Sequence, residues 1–268
     1  MINKNNQIPI SIITGAAGLL GPIHAEAILE MNGIVILTDI NLPLLYKLRQ
    51  RLKKKYDEKK IFIYKMDVSS EKSIRNTKKY IIQKFKRINI LINNAVIDTK
   101  ISKKGNFAKS NNFETFSLKQ WKKEIDVGLT GYFLCCKIFG NEMLKNKKGG
   151  IILNMASDLS VIAPNQKLYP KNQKKPVTYS VIKTGTIGLT KYLASYWGNN
   201  GIRVNALSPG GVFNNQNKKF IRKLINLIPL QRMIVKDELK GSVKFLCSDE
   251  SSYLNGHNLI LDGGRSII

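Results

Sequence analysis

Tyr179 and Lys183 stand four residues apart in Thr178-Tyr-Ser-Val-Ile-Lys-Thr184. On a helix that spacing puts both side chains on one face. An ammonium beside a phenol favours the phenolate, so the tyrosine can act as a general base or acid below its ordinary pKa of about 10. A second chemistry-bearing segment is Thr14-Gly15-Ala16-Ala17-Gly18-Leu19-Leu20-Gly21. Its small residues let the backbone turn tightly and approach a pyrophosphate, and a following helix offers free N–H groups and a positive dipole end. Gly15, Ala17, Gly18 and Leu20 are the contacts expected there. Asp39, followed by Ile40, closes the next apolar run 24 residues after Gly15. A carboxylate at that place accepts the ribose hydroxyls of NAD and repels the 2′-phosphate of NADP. No Lys or Arg lies in the glycine turn or directly after Asp39. NAD is therefore expected over NADP, unless Asp39 is merely a solvated strand end.

These residues need elements to hold them, and the chain alternates strand and helix signals throughout. Strand-like runs are Ile8 to Thr14, Ile34 to Thr38, Ile61 to Tyr64, Ile88 to Ile92, Ile151 to Met155, Ile202 to Leu207 and Asn258 to Asp262. Helical segments are read at 22–31, 42–56, 70–85, 118–145, 178–199, 219–227 and 236–247. The pattern implies an α/β fold, a doubly wound parallel sheet of about seven strands with helices on both faces. No Pro/Ser-rich linker interrupts it, so 1–268 reads as a single domain. Two polar, lysine-rich stretches break the rhythm, Asp98 to Asn112 and Asn165 to Pro176. Both follow strands at the end where open α/β sheets bind ligands.

Composition narrows the function classes. Apolar residues make up 43% and charged residues 23% of the 268, which fits a globular chain rather than a disordered one. No apolar run is long enough for a membrane helix. The start, Met1-Ile2-Asn3-Lys4, lacks the apolar core of a signal peptide. Three cysteines, two of them adjacent at Cys135 and Cys136, read as buried thiols in a reducing cytoplasm. Two histidines without partners in sequence, His24 and His257, argue against a metal site. The net charge of +26 is spread along the whole chain, without a basic stripe interleaved with aromatics. It excludes nucleic-acid binding as the main role and suits an anionic small-molecule substrate or an acidic carrier protein.

The motifs in this order resemble the short-chain dehydrogenase/reductase family over essentially the whole chain. The glycine turn comes first, Asn93-Asn94-Ala95 ends the fourth strand, and Ser157 follows the fifth. Tyr179-x-x-x-Lys183, Arg203-Val204-Asn205 leading to Pro209-Gly210, and Asp262-Gly263-Gly264 complete the series. The resemblance implies a Rossmann fold that binds NAD(P). It implies a catalytic set of Ser157, Tyr179 and Lys183, with Tyr179 and Lys183 also at the cofactor. Ser157 would orient the substrate hydroxyl or carbonyl, although a turn serine is the plainer reading and Ser160 competes for the role. Asp67 and Val68 would contact adenine, while Asn94, Ala95, Pro209, Gly210 and Val212 would line the cofactor. The segments around 98–112, 158–177 and 211–230 would be substrate loops. The long helices 118–145 and 178–199 would pair subunits into a homodimer or homotetramer.

Four departures stand out. The glycine turn has the form commoner in the family's extended, sugar-nucleotide-handling branch. Val96 follows Asn94-Ala95 where the family has Gly. Gly128 occupies the place of the catalytic Asn, so the side chain that supports a proton relay is missing. Ser157 and Tyr179 lie 22 apart, wider than usual, through an insertion within 165–176 that carries Lys167, Tyr169, Lys171, Lys174 and Lys175. The other long loop carries Lys100, Lys103, Lys104 and Lys109. Such loops could form a cationic lid over an anionic substrate or simply be solvated. The insertion, the turn and the Gly128 segment together resemble the subgroup found with bacterial surface-sugar and flagellin-glycan biosynthesis.

The expected reaction is hydride transfer between a secondary alcohol and a ketone, on a sugar, sugar phosphate or nucleotide sugar. One rival is a 3-oxoacyl-[acyl-carrier-protein] reductase using NADPH, which Asp39 disfavours. Another is a non-catalytic NAD-binding regulator or partner subunit, which only Gly128 supports.

Overall fold

The computed structural model of the chain describes residues 8–98, 111–170 and 173–268. Seven parallel strands form one sheet: β1 (Ile10–Thr14), β2 (Ile34–Asp39), β3 (Ile61–Lys65), β4 (Ile90–Asn93), β5 (Gly150–Met155), β6 (Ile202–Pro209) and β7 (Asn258–Leu261). Their spatial order is β3-β2-β1-β4-β5-β6-β7. The order reverses beside β1, so β1 and β4 leave the sheet side by side and open a crevice at their carboxyl ends. The register pairs Ile12 with both Ile36 and Leu91. These apolar runs suit strands covered on both faces.

The helices are α1 (Gly21–Glu30), α2 (Leu42–Leu52), α3 (Glu71–Phe85), α4 (Leu118–Ile125), α5 (Gly131–Met143), α6 (Val177–Trp197), α7 (Lys218–Ile225) and α8 (Lys236–Leu246). One core buries Ile28, Leu45, Leu48, Leu239 and Val243 from α1, α2 and α8 against one face of the sheet. The other face packs Ile74, Ile81, Phe139, Leu193 and Trp197 from α3, α5 and α6. Cys135 and Cys136 are buried in this second layer, and burial pushes the Cys136 thiol up to about 12. Both are packing residues, inert as thiolates at neutral pH. Phe133, beside them, is half exposed on the outer face of α5.

The long helical region read over 118–145 is present as α4 and α5, joined without interruption by a π-helical turn at Asp126–Thr130. Gly128 lies in that turn, and a Cβ there would approach two Ile182 side-chain carbons to 2.9 Å. The lost side chain therefore makes room for α6. The insertion is also more than a solvated loop. It forms a short helical turn at Gln166–Leu168 and places Leu168 in a small apolar cluster with Leu224, Ile228 and Met233. Of the lysines assigned to the two loops, Lys100, Lys103, Lys104, Lys109 and Lys171 lie outside the described residues.

Candidate active site

The crevice opened by β1 and β4 widens into one cavity of about 1130 Å³. Gly15, Gly18, Leu20, Asp39, Ile40, Asp67 and Val68 line one end. Asn94 and Ala95 line the middle, and Ser157, Tyr179, Lys183, Pro209, Gly210 and Val212 the other end. Residues widely separated in sequence thus meet because six parallel strands and the turns after them point the same way.

The glycine end is built by close approach. Gly15 has φ +60°, and a Cβ on it would lie 2.7 Å from the Ala95 Cα. Only glycine lets the turn press this closely on the strand-four loop. Asn94 ties the two together, donating from Nδ2 to the carbonyls of Thr14 (3.1 Å) and Gly15 (2.9 Å). Behind Asn94, the buried His24 ring holds its Oδ1 at 3.3 Å. Burial lowers the His24 pKa to about 4, so it is a neutral structural ring. Asn93 points the other way, donating to Asn154 Oδ1 at 2.9 Å inside the core.

Asp39 stands at the cavity rim. Its Oδ2 accepts the Ala17 N–H at 3.1 Å and its Oδ1 accepts the Asn41 N–H at 2.9 Å. Ala17 itself is not among the lining residues; its part is to orient this carboxylate. Each oxygen keeps a lone pair for a further donor. This cradle fits a dinucleotide. The Gly15–Gly18 turn would face its pyrophosphate and Asp39 a ribose, while Lys119, Lys122 and Lys123 of α4 also line the cavity.

The opposite end gathers Ser157, Tyr179 and Lys183. Tyr179 is on the first turn of α6, which begins after Pro176. Thr178, next to it, donates to the buried Glu124 carboxylate of α4 and fixes that turn against the neighbouring helix. Lys183 is buried one turn on, and its ammonium donates to the Met155 carbonyl at 2.6 Å. Burial lowers its pKa to about 8, with the Asp98 charge opposing that shift. Tyr179 faces Ser157. Burial pushes the Tyr179 phenol up, the Asp98 and Asp158 charges push the same way, and the nearby Ser157 hydroxyl opposes them.

Ser157 is the serine that faces Tyr179, and it also serves as a turn cap. Its Oγ accepts the Leu159 N–H at 3.2 Å and donates to Asp158 Oδ1 at 2.9 Å. Ser160 is engaged elsewhere, with the Ser157 carbonyl at 2.6 Å and the Ser208 hydroxyl at 3.1 Å. Three charged residues at this end escaped sequence reasoning. Asp158 is buried in an ion pair with Arg265 from the end of the chain. Asp98 caps the far side and pairs with Lys175 of the insertion at 2.8 Å. The adjacency of Asp158 to Ser157 was the only signal available. Asn214 also lines the cavity.

Among the described residues no group of three or more His, Cys, Asp or Glu could hold a metal, and no helix is long and apolar enough to cross a membrane.

A family model described as Enoyl-(Acyl carrier protein) reductase matches residues 15–266. D-threitol dehydrogenase of Mycolicibacterium smegmatis is 30% identical over 263 residues, covering 96% of this chain and 93% of that protein. Post-translational flagellin modification protein A of Campylobacter coli is 29% identical, covering 95% and 97%. Among solved structures, a short chain dehydrogenase from Leptospira borgpetersenii with bound NAD+ superposes with a TM-score of 0.83 at 32% identity, covering 99% and 97%. The ordered motifs, the sheet topology and these full-length similarities agree: the chain belongs to the short-chain dehydrogenase/reductase family of NAD(P)-binding oxidoreductases.

Proposed function

We propose that this protein is an NAD-dependent oxidoreductase that interconverts a secondary alcohol and a ketone. The observation that carries the proposal is one cavity with Asp39 at one end and Ser157, Tyr179 and Lys183 at the other. When bound, the nicotinamide supplies the acceptor or donor of a hydride. Gly15, Gly18, Leu20, Asp39, Ile40, Asp67, Val68, Asn94, Ala95, Pro209, Gly210 and Val212 would hold the dinucleotide, with Ala17 setting Asp39. Lys183 would hold its inner ribose. Ser157 orients the substrate oxygen toward Tyr179, and Tyr179 takes the hydroxyl proton in oxidation or returns it in reduction. Lys183 stabilises the phenolate that this requires.

The substrate class proposed is a sugar, sugar phosphate or nucleotide sugar. It is supported by the form of the glycine turn and by a polyol dehydrogenase and a flagellin modification protein among the relatives. NAD over NADP is supported by Asp39 and by the NAD+ bound to the Leptospira relative. Subunit pairing through the outer faces of α5 and α6 belongs to the same proposal. Phe133, Tyr192 and Tyr196 are exposed there, the two tyrosines stacked with ring centres 5.7 Å apart. Sedimentation at micromolar concentration would find a dimer or tetramer.

Calorimetry with NAD and NADP tests the proposal. NAD should bind at least about tenfold tighter, a difference of about 1.4 kcal/mol, and Asp39→Ala should erase the preference. Tyr179→Phe should keep NAD binding and lose turnover in a screen of polyols and nucleotide sugars. Tighter NADP binding would favour the second reading, a carrier-protein-linked reductase, which the family model's description and the basic charge support. Unchanged behaviour of Tyr179→Phe would leave only a binding role.

A further inference from the structure

The insertion brings one side chain onto the reacting group. Lys175 Nζ lies 3.7 Å from the centre of the Tyr179 ring. Its position is built from several sides. The Lys175 backbone N–H donates to Gln166 Oε1 at 3.0 Å, within the insertion. Its ammonium pairs with Asp98 Oδ1 at 2.8 Å, and its side chain is only 11% exposed. Pro176 follows and opens α6, so backbone freedom is restricted directly after it.

The groups facing Tyr179 can be taken in turn. From its own helix comes Lys183, with its ammonium 5.8 Å from the ring centre. After β4 comes Asp98, and after β5 come Ser157 and Asp158. Tyr169 faces it from the insertion and Tyr132 from α5. Arg265 reaches this region but is committed to Asp158. The two carboxylates and the loss of water disfavour a phenolate here. The Ser157 hydroxyl opposes them, and the cations set against this ring are the Lys175 and Lys183 ammoniums, 3.7 and 5.8 Å from its centre. A cation over an aromatic face gains further when that ring becomes an anion, because Coulomb attraction adds to the ring quadrupole.

We propose that Lys175 is a positioning residue for Tyr179, a second cation that, docked on the ring face and held there by Asp98, favours the phenolate form. The insertion is then part of the proton-transfer machinery, and its other lysines need not touch substrate. This rests on reading Tyr179 as the proton-transfer group.

The test is a titration of the full-length protein with 13Cζ-labelled tyrosine, followed by NMR from pH 6 to 11.5. The Tyr179 signal is identified among the 10 tyrosines by its absence in Tyr179→Phe. Tyr179 should ionise within this range in the unaltered protein. Lys175→Met should move its midpoint up by about one pH unit or more, or out of range. Lys175→Gln provides a second neutral replacement if the first perturbs folding, and it should do the same. Lys175→Arg should keep the original midpoint, since a guanidinium also stacks on aromatic faces. A Tyr179 that stays a phenol throughout in the unaltered protein, or a midpoint that neither neutral replacement moves, overturns the proposal. The titration uses no cofactor and no substrate. Failure of NAD to bind would therefore count against the redox reading alone and leave the effect of Lys175 on Tyr179 measurable.

Discussion

The Arg265 guanidinium lies 2.6 Å from the Asp158 carboxylate, with 8% and 4% of the two side chains exposed. The last turn of the chain, Arg265–Ile267, is thereby connected to the serine of the candidate site, because Asp158 also accepts the Ser157 hydroxyl. The pair braces the loop after β5 that presents Ser157 to Tyr179.

Removing one partner leaves the other as an uncompensated buried charge. Arg265→Met should cost about 3–5 kcal/mol in urea unfolding. Combining it with Asp158→Leu should recover most of that loss, since no charge is then stranded. Recovery of stability without recovery of turnover would show the pair acting on Ser157. Equal stability of the single and double variants would contradict the pair's energetic role.

A side chain at position 128 should not be tolerated. A Cβ there meets Ile182 carbons at 2.9 Å. Gly128→Asn, the change that recreates the usual family residue, should therefore destabilise by about 1–3 kcal/mol. Ile182→Ala in the same chain should relieve most of the strain. Thermal melts of the single and double variants check this; a Gly128→Asn protein as stable as the parent would show that α6 can shift.

Acid should weaken the protein through His24. Its folded pKa is about 4, against an ordinary value of 6.5. Above pH 6.5 both folded and unfolded states hold a neutral ring, and the stability is complete. Between pH 6.5 and 4 the unfolded chain binds a proton that the folded one refuses, so stability falls, by about 3 kcal/mol in all. Below pH 4 this loss levels off. His24→Gln should flatten that part of the stability profile measured by denaturant titration.

Much of the architecture was legible because the two periods of the chain are clean. Runs such as Ile34-Val-Ile-Leu-Thr38 leave a strand no solvent face, and α1 at Gly21–Glu30 agrees with the span read at 22–31 to one residue at each end. Tyr179 and Lys183 were legible for the same local reason, one helix turn between them. The π turn at Asp126–Thr130 was not, since α4, the π turn and α5 share one helical pattern and differ only by an inserted residue in the hydrogen-bond ladder. Asp158, Arg265 and Asp98 were illegible as a site, and so was the pairing of Lys175, because each acts through a partner far away in sequence. Arg265 and Asp158 are separated by 107 positions and Lys175 and Asp98 by 77.

The insertion should behave as a lid with α7. Leu168 packs with Leu224, Ile228 and Met233, Tyr169 lies 6.0 Å from the Phe220 ring, and Lys223 donates to the Lys167 carbonyl at 2.7 Å. Leu168→Ala should lower the protection of residues 166–169 and 218–228 in hydrogen exchange, by about 1–3 kcal/mol of local opening energy. The global melting temperature should move by no more than about 2–4 °C. Loss of protection across the whole sheet would contradict a separable lid.

That small cluster shares no residue with either core beneath the sheet. Loss of that cluster would therefore loosen the cover of the cavity while both cores keep their packing.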